Sequence, residues 1–327
     1  MPSTSKTRKS PTPPLPAAVT GKTGLRIAYQ GEPGAYSEQA VRQLFGRKAR
    51  AIGYPDFPSV HEALRRGEVD RAALPVENTL AGTANLHDNW DVLALEGFHA
   101  VAETVVHVHH CLMALPGTKL ADIREVRTHP QPIIQCRANL ARMLPRAVTV
   151  PAWDTAGSAR LLSQTREAGV AVIASRLAAE TYGLAILHEG MEDDSSNFTR
   201  FLIASREPVA PKRGAILKTS VAFTLDHAGP GSLFRALGAF ALRDLDLARV
   251  ESRPIPGAPW RYRFFLDIRA GASEERCRRA LEHLGEMVAE LSILGTYPAW
   301  SSPAESSEIP ATRSPVAKDK AARVSRR

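Results

Sequence analysis

At 327 residues, 44% hydrophobic and 23% charged, the chain has the composition of a globular protein large enough for two domains. No apolar run approaches the ~18 residues of a membrane span and the first residues lack the apolar stretch of a secretory signal, so neither a membrane protein nor a secreted one is expected. The net charge of +8 sits at the ends: residues 1–24 carry Lys6, Arg8, Lys9 and Lys22 without an acid, and residues 301–327 carry six basic and three acidic groups. The near-neutral remainder speaks against a nucleic-acid face.

From Leu25 the pattern alternates strand and helix. "LRIAYQ" reads as a strand, "YSEQAVRQLFG" as a helix, and "SVHEALRRG" as a helix opened by a Ser59–Glu62 capping box. "RAALPVE" is a strand, "NWDVLALEG" a helix, and "HAVAETVVHVHHCLMAL" one long extended stretch. "REVRTH" and "GVAVIAS" are strands, "QPIIQCRANLARML", "DTAGSARLLSQT" and "RLAAETYG" helices, and "FTRFLIAS" a returning strand. Such alternation predicts two α/β lobes with mostly parallel sheets and a cleft between them at the strand ends. After a Pro-containing linker, "KTSVAFTL", "PGSLFRALGAFALRD", "DLARVESRPI", "WRYRFFLDI", "SEERCRRALEHLGEMVAEL" and "SILGTYP" give a β-α-β-β-α-β order, the ferredoxin-like split βαβ.

The polar residues recur at strand-to-helix junctions. "GEPGAYSE" sets Gly31, Gly34 and Ser37 at a helix start that would suit an anion, although such turns are common. "LPVENTLAG" places Glu77, Asn78 and Thr79 directly after an apolar strand, "RTHPQPIIQC" places His129 and Gln131, and "WDTAGSAR" places Asp154 and Thr155, positions equally suited to helix caps. In "EDDSSNFTRFLI" a polar run meets an apolar strand at Thr199 and Arg200. "HVHHC" invites a metal, but no acidic or Cys partner has ligand spacing, and a structural role is the expectation. Three cysteines without close pairing, Cys111, Cys136 and Cys277, indicate a reducing compartment. The cytoplasm is the expected location, with a plastid as the alternative.

Taken in order, "LPVENTLAG", "THPQPIIQC", "DTAGSA" and "NFTRF" resemble the prephenate dehydratase family, and "PGSLF" and "ESRP" resemble the phenylalanine-binding motifs of an ACT domain. Arogenate dehydratase is the close relative. The resemblance implies a two-lobed catalytic domain of the periplasmic-binding-protein type II fold over 25–206, a linker over 207–216, and a ferredoxin-like βαββαβ ACT domain over 217–300. The tails, 1–24 and 301–327, rich in Ser, Pro, Lys and Arg and poor in large apolar residues, are expected to be disordered. It implies decarboxylating dehydration of prephenate to phenylpyruvate, or of arogenate to phenylalanine, with no metal or organic cofactor. Thr199 is the implied catalytic residue. Ser37, Glu77, Asn78, Thr79, His129, Gln131, Thr155, Asn197, Arg200 and Phe201 are implied substrate contacts, with Arg200 either holding a carboxylate or ordering the loop. Gly231, Ser232, Leu233, Phe234, Glu251, Ser252, Arg253 and Pro254 are implied to bind the effector L-phenylalanine across a homodimer or homotetramer. Departures are Thr79 for the family's Ser, Pro132 in the His129 motif, and Ser232 for Ala. A solute-binding protein and an amino-acid sensor with an inactive catalytic half are the alternatives. The fused ACT-like module stands against the first and the intact Thr199-Arg200-Phe201 against the second.

Overall fold

The computed structural model describes residues 24–82, 86–211, 213–225 and 229–301, so the two basic tails lie almost wholly outside the described residues. Three sheets organise the chain. The first has the order β2-β1-β3-β10-β4, from β1 (Arg26–Gln30), β2 (Arg50–Tyr54), β3 (Arg71–Asn78), β4 (His99–His107) and β10 (Phe198–Ser205). The second has the order β7-β6-β8-β5-β9, from β5 (Cys111–Ala114), β6 (Glu125–Thr128), β7 (Val148–Pro151), β8 (Val170–Ala174) and β9 (Ala185–Glu189). In each, four strands run in one direction and one runs against them: β10 opposes its neighbours β3 and β4, and β5 opposes β8 and β9. The chain therefore crosses between sheets twice, once after His107 and again between Glu189 and Phe198.

The first crossing divides the expected long strand. Residues 108–110 interrupt it, and the two halves enter different sheets. Mostly buried residues lie on both sides, and His107-Val108-His109 between them keeps the alternation of a strand, so the break leaves little trace in the pattern. Helices α1 (Tyr36–Phe45), α2 (Phe57–Arg66) and α3 (His87–Leu95) belong to the first lobe, and α4 (Pro130–Gln135), α5 (Arg137–Met143), α6 (Thr155–Thr165) and α7 (Arg176–Tyr182) to the second. The cap of α2 differs from the expected box. Asp56 accepts the Ser59 N–H at 2.8 Å, Pro58 sits in the first turn, and Glu62 pairs with Arg65 and Arg66.

The third sheet, order β12-β13-β11-β14, has the ferredoxin-like arrangement. Its elements are β11 (Leu217–Leu225), α8 (Ser232–Ala241), β12 (Leu247–Ile255), β13 (Ala258–Ile268), α9 (Glu275–Gly285) and β14 (Val288–Pro298). The last helix is shorter than its apolar spacing predicts. It ends at Gly285, and residues from Val288 join β14 instead, paired to β11. One face of this sheet carries Val221, Phe223, Phe264 and Leu266 against α8 and α9. Its other face sets Ala222, Phe265, Leu294 and Tyr297 in the same core as Trp90, Leu93 and Leu202 of the first lobe. Burying aromatic side chains of that size stabilises by ~1.5–3 kcal/mol each.

Gly295 marks the tightest approach of the third sheet to the first. A Cβ there would lie 2.1 Å from the Ala100 carbonyl oxygen of β4, a backbone atom that has no side-chain freedom to move aside. Gly295→Ala is expected to lower stability by about 1–3 kcal/mol through overpacking, read as a fall in the urea midpoint. An unchanged midpoint would show that the two sheets separate without cost.

Candidate active site

The β3–β10 register sets Thr199 opposite Asn78 and Arg200 opposite Glu77. Because side chains alternate along a strand, Thr199 and Arg200 leave opposite faces of the sheet. Asn78 Nδ2 donates to Thr199 Oγ1 at 2.9 Å. The amide orientation is fixed from its other end, where Oδ1 accepts the backbone N–H groups of Leu80 and Ala81 at 3.0 and 2.8 Å. With its oxygen accepting, the Thr199 hydroxyl has its own proton left to donate into the cleft.

The segment before Thr199 is held from both lobes. The Thr79 hydroxyl accepts the Phe198 N–H at 2.8 Å and donates to the Ser196 carbonyl. Asn197 is wholly buried; its Oδ1 accepts from Asn78 at 2.9 Å and its Nδ2 donates to Gln135 Oε1 at 3.1 Å. His110 lies between Gln135 and Tyr36, 3.1 and 2.9 Å away, and burial lowers its pKa against the opposing pull of Gln135 and Glu192.

Thr199 and Asn78 open into a cavity of about 560 Å³ that Gln30, Phe57, His129, Gln131 and Trp153 also line. Among the described residues its lining includes Asp56 and no Lys or Arg. His129 caps α4, its Nδ1 accepting the Gln131 N–H at 3.2 Å, and burial lowers its pKa with Asp154 opposing, so the ring is neutral near pH 7. Gln30 ends β1, Phe57 follows β2, Asn78 ends β3, His129 follows β6 and Trp153 follows β7. Every one stands beyond the carboxyl end of a parallel strand, the rule that could have added Gln30, Phe57 and Trp153 to the residues expected from sequence.

Arg200 lies elsewhere. It is buried behind the sheet, its Nη1 is 2.5 Å from Asp267 Oδ2 of β13, its Nε 2.7 Å from Glu103, and its Nη2 donates to Tyr297 Oη at 3.0 Å. Lys218 Nζ takes the other Glu103 oxygen at 2.7 Å, and Ser220 donates to Asp267. Burial alone would raise the Asp267 carboxyl, but the Arg200 and Arg249 guanidinium groups outweigh it and hold its pKa below the usual range. The guanidinium therefore joins the first sheet to the third and does not face the cavity.

Several other expected contacts stand outside the cavity lining. Ser37 is on the buried face of α1, Phe201 packs with Ala40 and Val106, Glu77 is 3.5 Å from Arg200, and Thr155 begins α6 behind its cap Asp154. The anion seat expected after Gly34 is filled from within: Glu38 accepts the Gly34 N–H at 2.6 Å and pairs with Arg42. The effector motif on β12 is split by the pleat. Ser252 and Pro254 oppose Phe264 and Tyr262, on the face toward α8. Glu251 and Arg253 turn to the first lobe, where Arg253 stacks 4.8 Å over Phe265 and lies 3.8 Å from Asp91. Gly231 caps α8 in the left-handed region (φ 79°), Ser232 bonds the Gly229 carbonyl, Leu233 packs on the module's core and Phe234 is 80% exposed.

A two-lobed α/β protein with a polar cleft, followed by a ferredoxin-like module, is the class these observations define. The prephenate dehydratase family model matches residues 27–209. A curated relative, arogenate dehydratase/prephenate dehydratase 2 of Arabidopsis thaliana, is 39% identical over 293 residues, covering 87% of this chain and 75% of its own. The solved prephenate dehydratase of Arthrobacter aurescens in complex with L-Phe has a TM-score of 0.76 at 32% identity, over 86% of this chain and 96% of that one. A structure described as the quorum-quenching acylase GqqA has the same TM-score at 35% identity, over 86% of this chain and 99% of that one. The chain belongs to the prephenate dehydratase family, and its class of activity is that of a prephenate/arogenate dehydratase, a lyase of phenylalanine biosynthesis. The Arabidopsis relative is chloroplastic, at odds with the cytoplasmic expectation. No helix among the described residues is long and apolar enough to cross a membrane.

Removing the Arg200 charge leaves Asp267 and Glu103 buried with fewer partners, which costs about 3–5 kcal/mol. The sign with pH follows. In the wild type the depressed Asp267 pKa contributes stability above its unfolded value, ~3.9, that is lost as pH falls through the lower folded value. In Arg200→Met, burial dominates and the carboxyl is easier to bury protonated, so the stability gap to wild type should narrow as pH falls from 7 to 4. Urea unfolding across that range checks this, and a gap independent of pH would contradict the assignment.

Proposed function

We propose that the chain converts prephenate to phenylpyruvate in the 560 Å³ cavity, with Thr199 as the group that meets the leaving hydroxyl. The observation that carries this reading is the Asn78–Thr199 hydrogen bond at the cavity wall. When the ring carboxylate leaves as carbon dioxide, its bonding pair moves through the diene and the ring hydroxyl departs with the C–O pair. That oxygen leaves as hydroxide, held by the Thr199 hydroxyl, and takes its proton from solvent to give water. Thr199 need not ionise. Its oxygen is held by Asn78, its proton is directed to the departing oxygen, and a hydrogen bond there strengthens as negative charge develops. The absence of Lys or Arg among the described residues of the lining also fits, since a cation paired with the departing carboxylate would stabilise the ground state. His129 and Gln131 are in place to hydrogen-bond the substrate's side-chain carboxylate, and the exposed Trp153 to cover the ring.

One observation favours a second substrate. Asp56 lines the cavity and no cationic side chain balances it there, which suits the ammonium group of arogenate. Asp56→Asn should lower kcat/KM for arogenate several-fold more than for prephenate, and equal losses would remove Asp56 from substrate choice.

Regulation by L-phenylalanine through the third sheet is part of the same reading. The face of β12 bearing Ser252 and Pro254, with the start of α8 at Gly231–Phe234, is the proposed seat. Exposed Phe234, Leu242, Trp260 and Tyr262 suit closure by a second copy. Arg253 and Glu251 are assigned instead to the contact with the first lobe, through which an effector can bias the cleft.

Thr199→Ala should lower kcat by about 10²–10⁴, or about 3–5 kcal/mol of barrier, while Thr199→Ser retains much more; normal turnover by the alanine variant would sink the assigned role. Phenylalanine should inhibit initial rates of the wild type, and Gly231→Val should weaken that inhibition at least about tenfold, within the usual range of allosteric coupling. Inhibition unchanged in that variant would place the effector seat elsewhere.

A further inference from the structure

The motif "HVHHC" lies on the first crossing between the lobes, and the structure supplies the acidic partner that its sequence neighbourhood lacks. Donor atoms of His107, His109 and Glu192 lie within 4.8 Å of one another. His107 and His109 flank the exit from β4, and Glu192 stands on the return crossing between β9 and β10. We propose that these three side chains form a divalent-metal site of the zinc class that staples the two crossing strands of the hinge.

Four observations carry it. His109 Nδ1 is 2.6 Å from Glu192 Oε1, yet it is buried and makes no hydrogen bond, because the two are off the line that an N–H donor requires. With the ring neutral and its proton on Nε2, two lone pairs face each other there, an arrangement that a cation resolves. Glu192 is almost wholly buried, and its Oε2 is held by the His110 N–H at 2.8 Å, so Oε1 is aimed by its partner oxygen. His107 Nε2 lies 2.9 Å from the Ser195 carbonyl, which assigns the proton to Nε2 and leaves Nδ1 with a lone pair. A backbone carbonyl on the far nitrogen is the usual outer contact of a metal-ligating histidine. Finally, both imidazole rings reach solvent, so the rings have room to shift and water can complete the coordination. Two imidazoles and a carboxylate suit Zn²⁺ better than Mg²⁺ or Ca²⁺, which prefer all-oxygen sites.

The consequence is mechanical. A metal bound here ties residues 107–109 to residue 192, seven positions before Thr199, and holds the two lobes at one angle.

The test uses the full chain stripped with a chelator and titrated with ZnSO₄ by calorimetry, with amide exchange followed in parallel. One equivalent should bind, and exchange should slow over residues 108–111 and 190–197. His109→Ala and Glu192→Gln should each weaken binding by about 100-fold or more, beyond the 10–100-fold seen for loss of an outer contact. His188→Gln, on β9 and outside the cluster, should bind as wild type does. Glu192→Gln keeps an acceptor for the His110 N–H, so its loss of binding reports the ligand and not the fold. Absence of saturable binding, or binding that survives both His109→Ala and Glu192→Gln, overturns the proposal.

Discussion

The arrangement depends on the ion pair between Arg200 and Asp267, buried behind the first sheet. A guanidinium taken out of water is costly unless its charge and its donors are met. Here Asp267, Glu103 and Tyr297 meet them, and two of those three come from the third sheet. The third sheet is thus required to complete the first. Its apolar contribution, Phe265, Leu294 and Tyr297 around Trp90, supplies burial, while the charges fix which strand faces which. The start of β10 serves both this network and the cleft. One residue step along β10 separates the hydroxyl proposed to act on substrate from the cation that anchors the neighbouring module.

That adjacency puts the contact between β10 and β13 one residue from Thr199. On the same face, Arg249 stacks 4.0 Å over Trp90 and Arg253 reaches Asp91 of α3. The split of the β12 motif fits this division: Ser252 and Pro254 look to α8, and Glu251 and Arg253 look to the first lobe.

Much of the architecture is legible in the chain because strand and helix periods differ and are obeyed locally. The helix at Tyr36–Phe45 and the strand at Val170–Ala174 follow from apolar spacing alone. The breaks do not. The turn at 108–110 lies where His107-Val108-His109 still alternates as a strand does, and the helix end at Gly285 inside a stretch whose spacing suits either state until β11 supplies a partner. For the site, Thr199, Asn78, His129 and Gln131 are readable because they follow strands and bear polar groups, and they do line the cavity. Arg200, which its motif leaves either holding a carboxylate or ordering the loop, and Arg253 show that a charged residue in a motif does not by itself reveal its partner. Only the facing element, 67 residues away for Asp267, shows that Arg200 is consumed by a buried pair. Glu192 as a neighbour of His109 is hidden for the same reason, the two being brought together by the second crossing.

The most direct measurement is of Arg200→Lys, which keeps the charge but cannot reach Asp267, Glu103 and Tyr297 together. Its unfolding midpoint and its KM for prephenate should be measured on the same preparation. If Arg200 anchors the third sheet, the midpoint falls while KM stays within about twofold of wild type, as expected when no substrate contact is removed. A KM raised tenfold or more with an unchanged midpoint would show that Arg200 grips substrate, and the two-faced role assigned to β10 would be wrong.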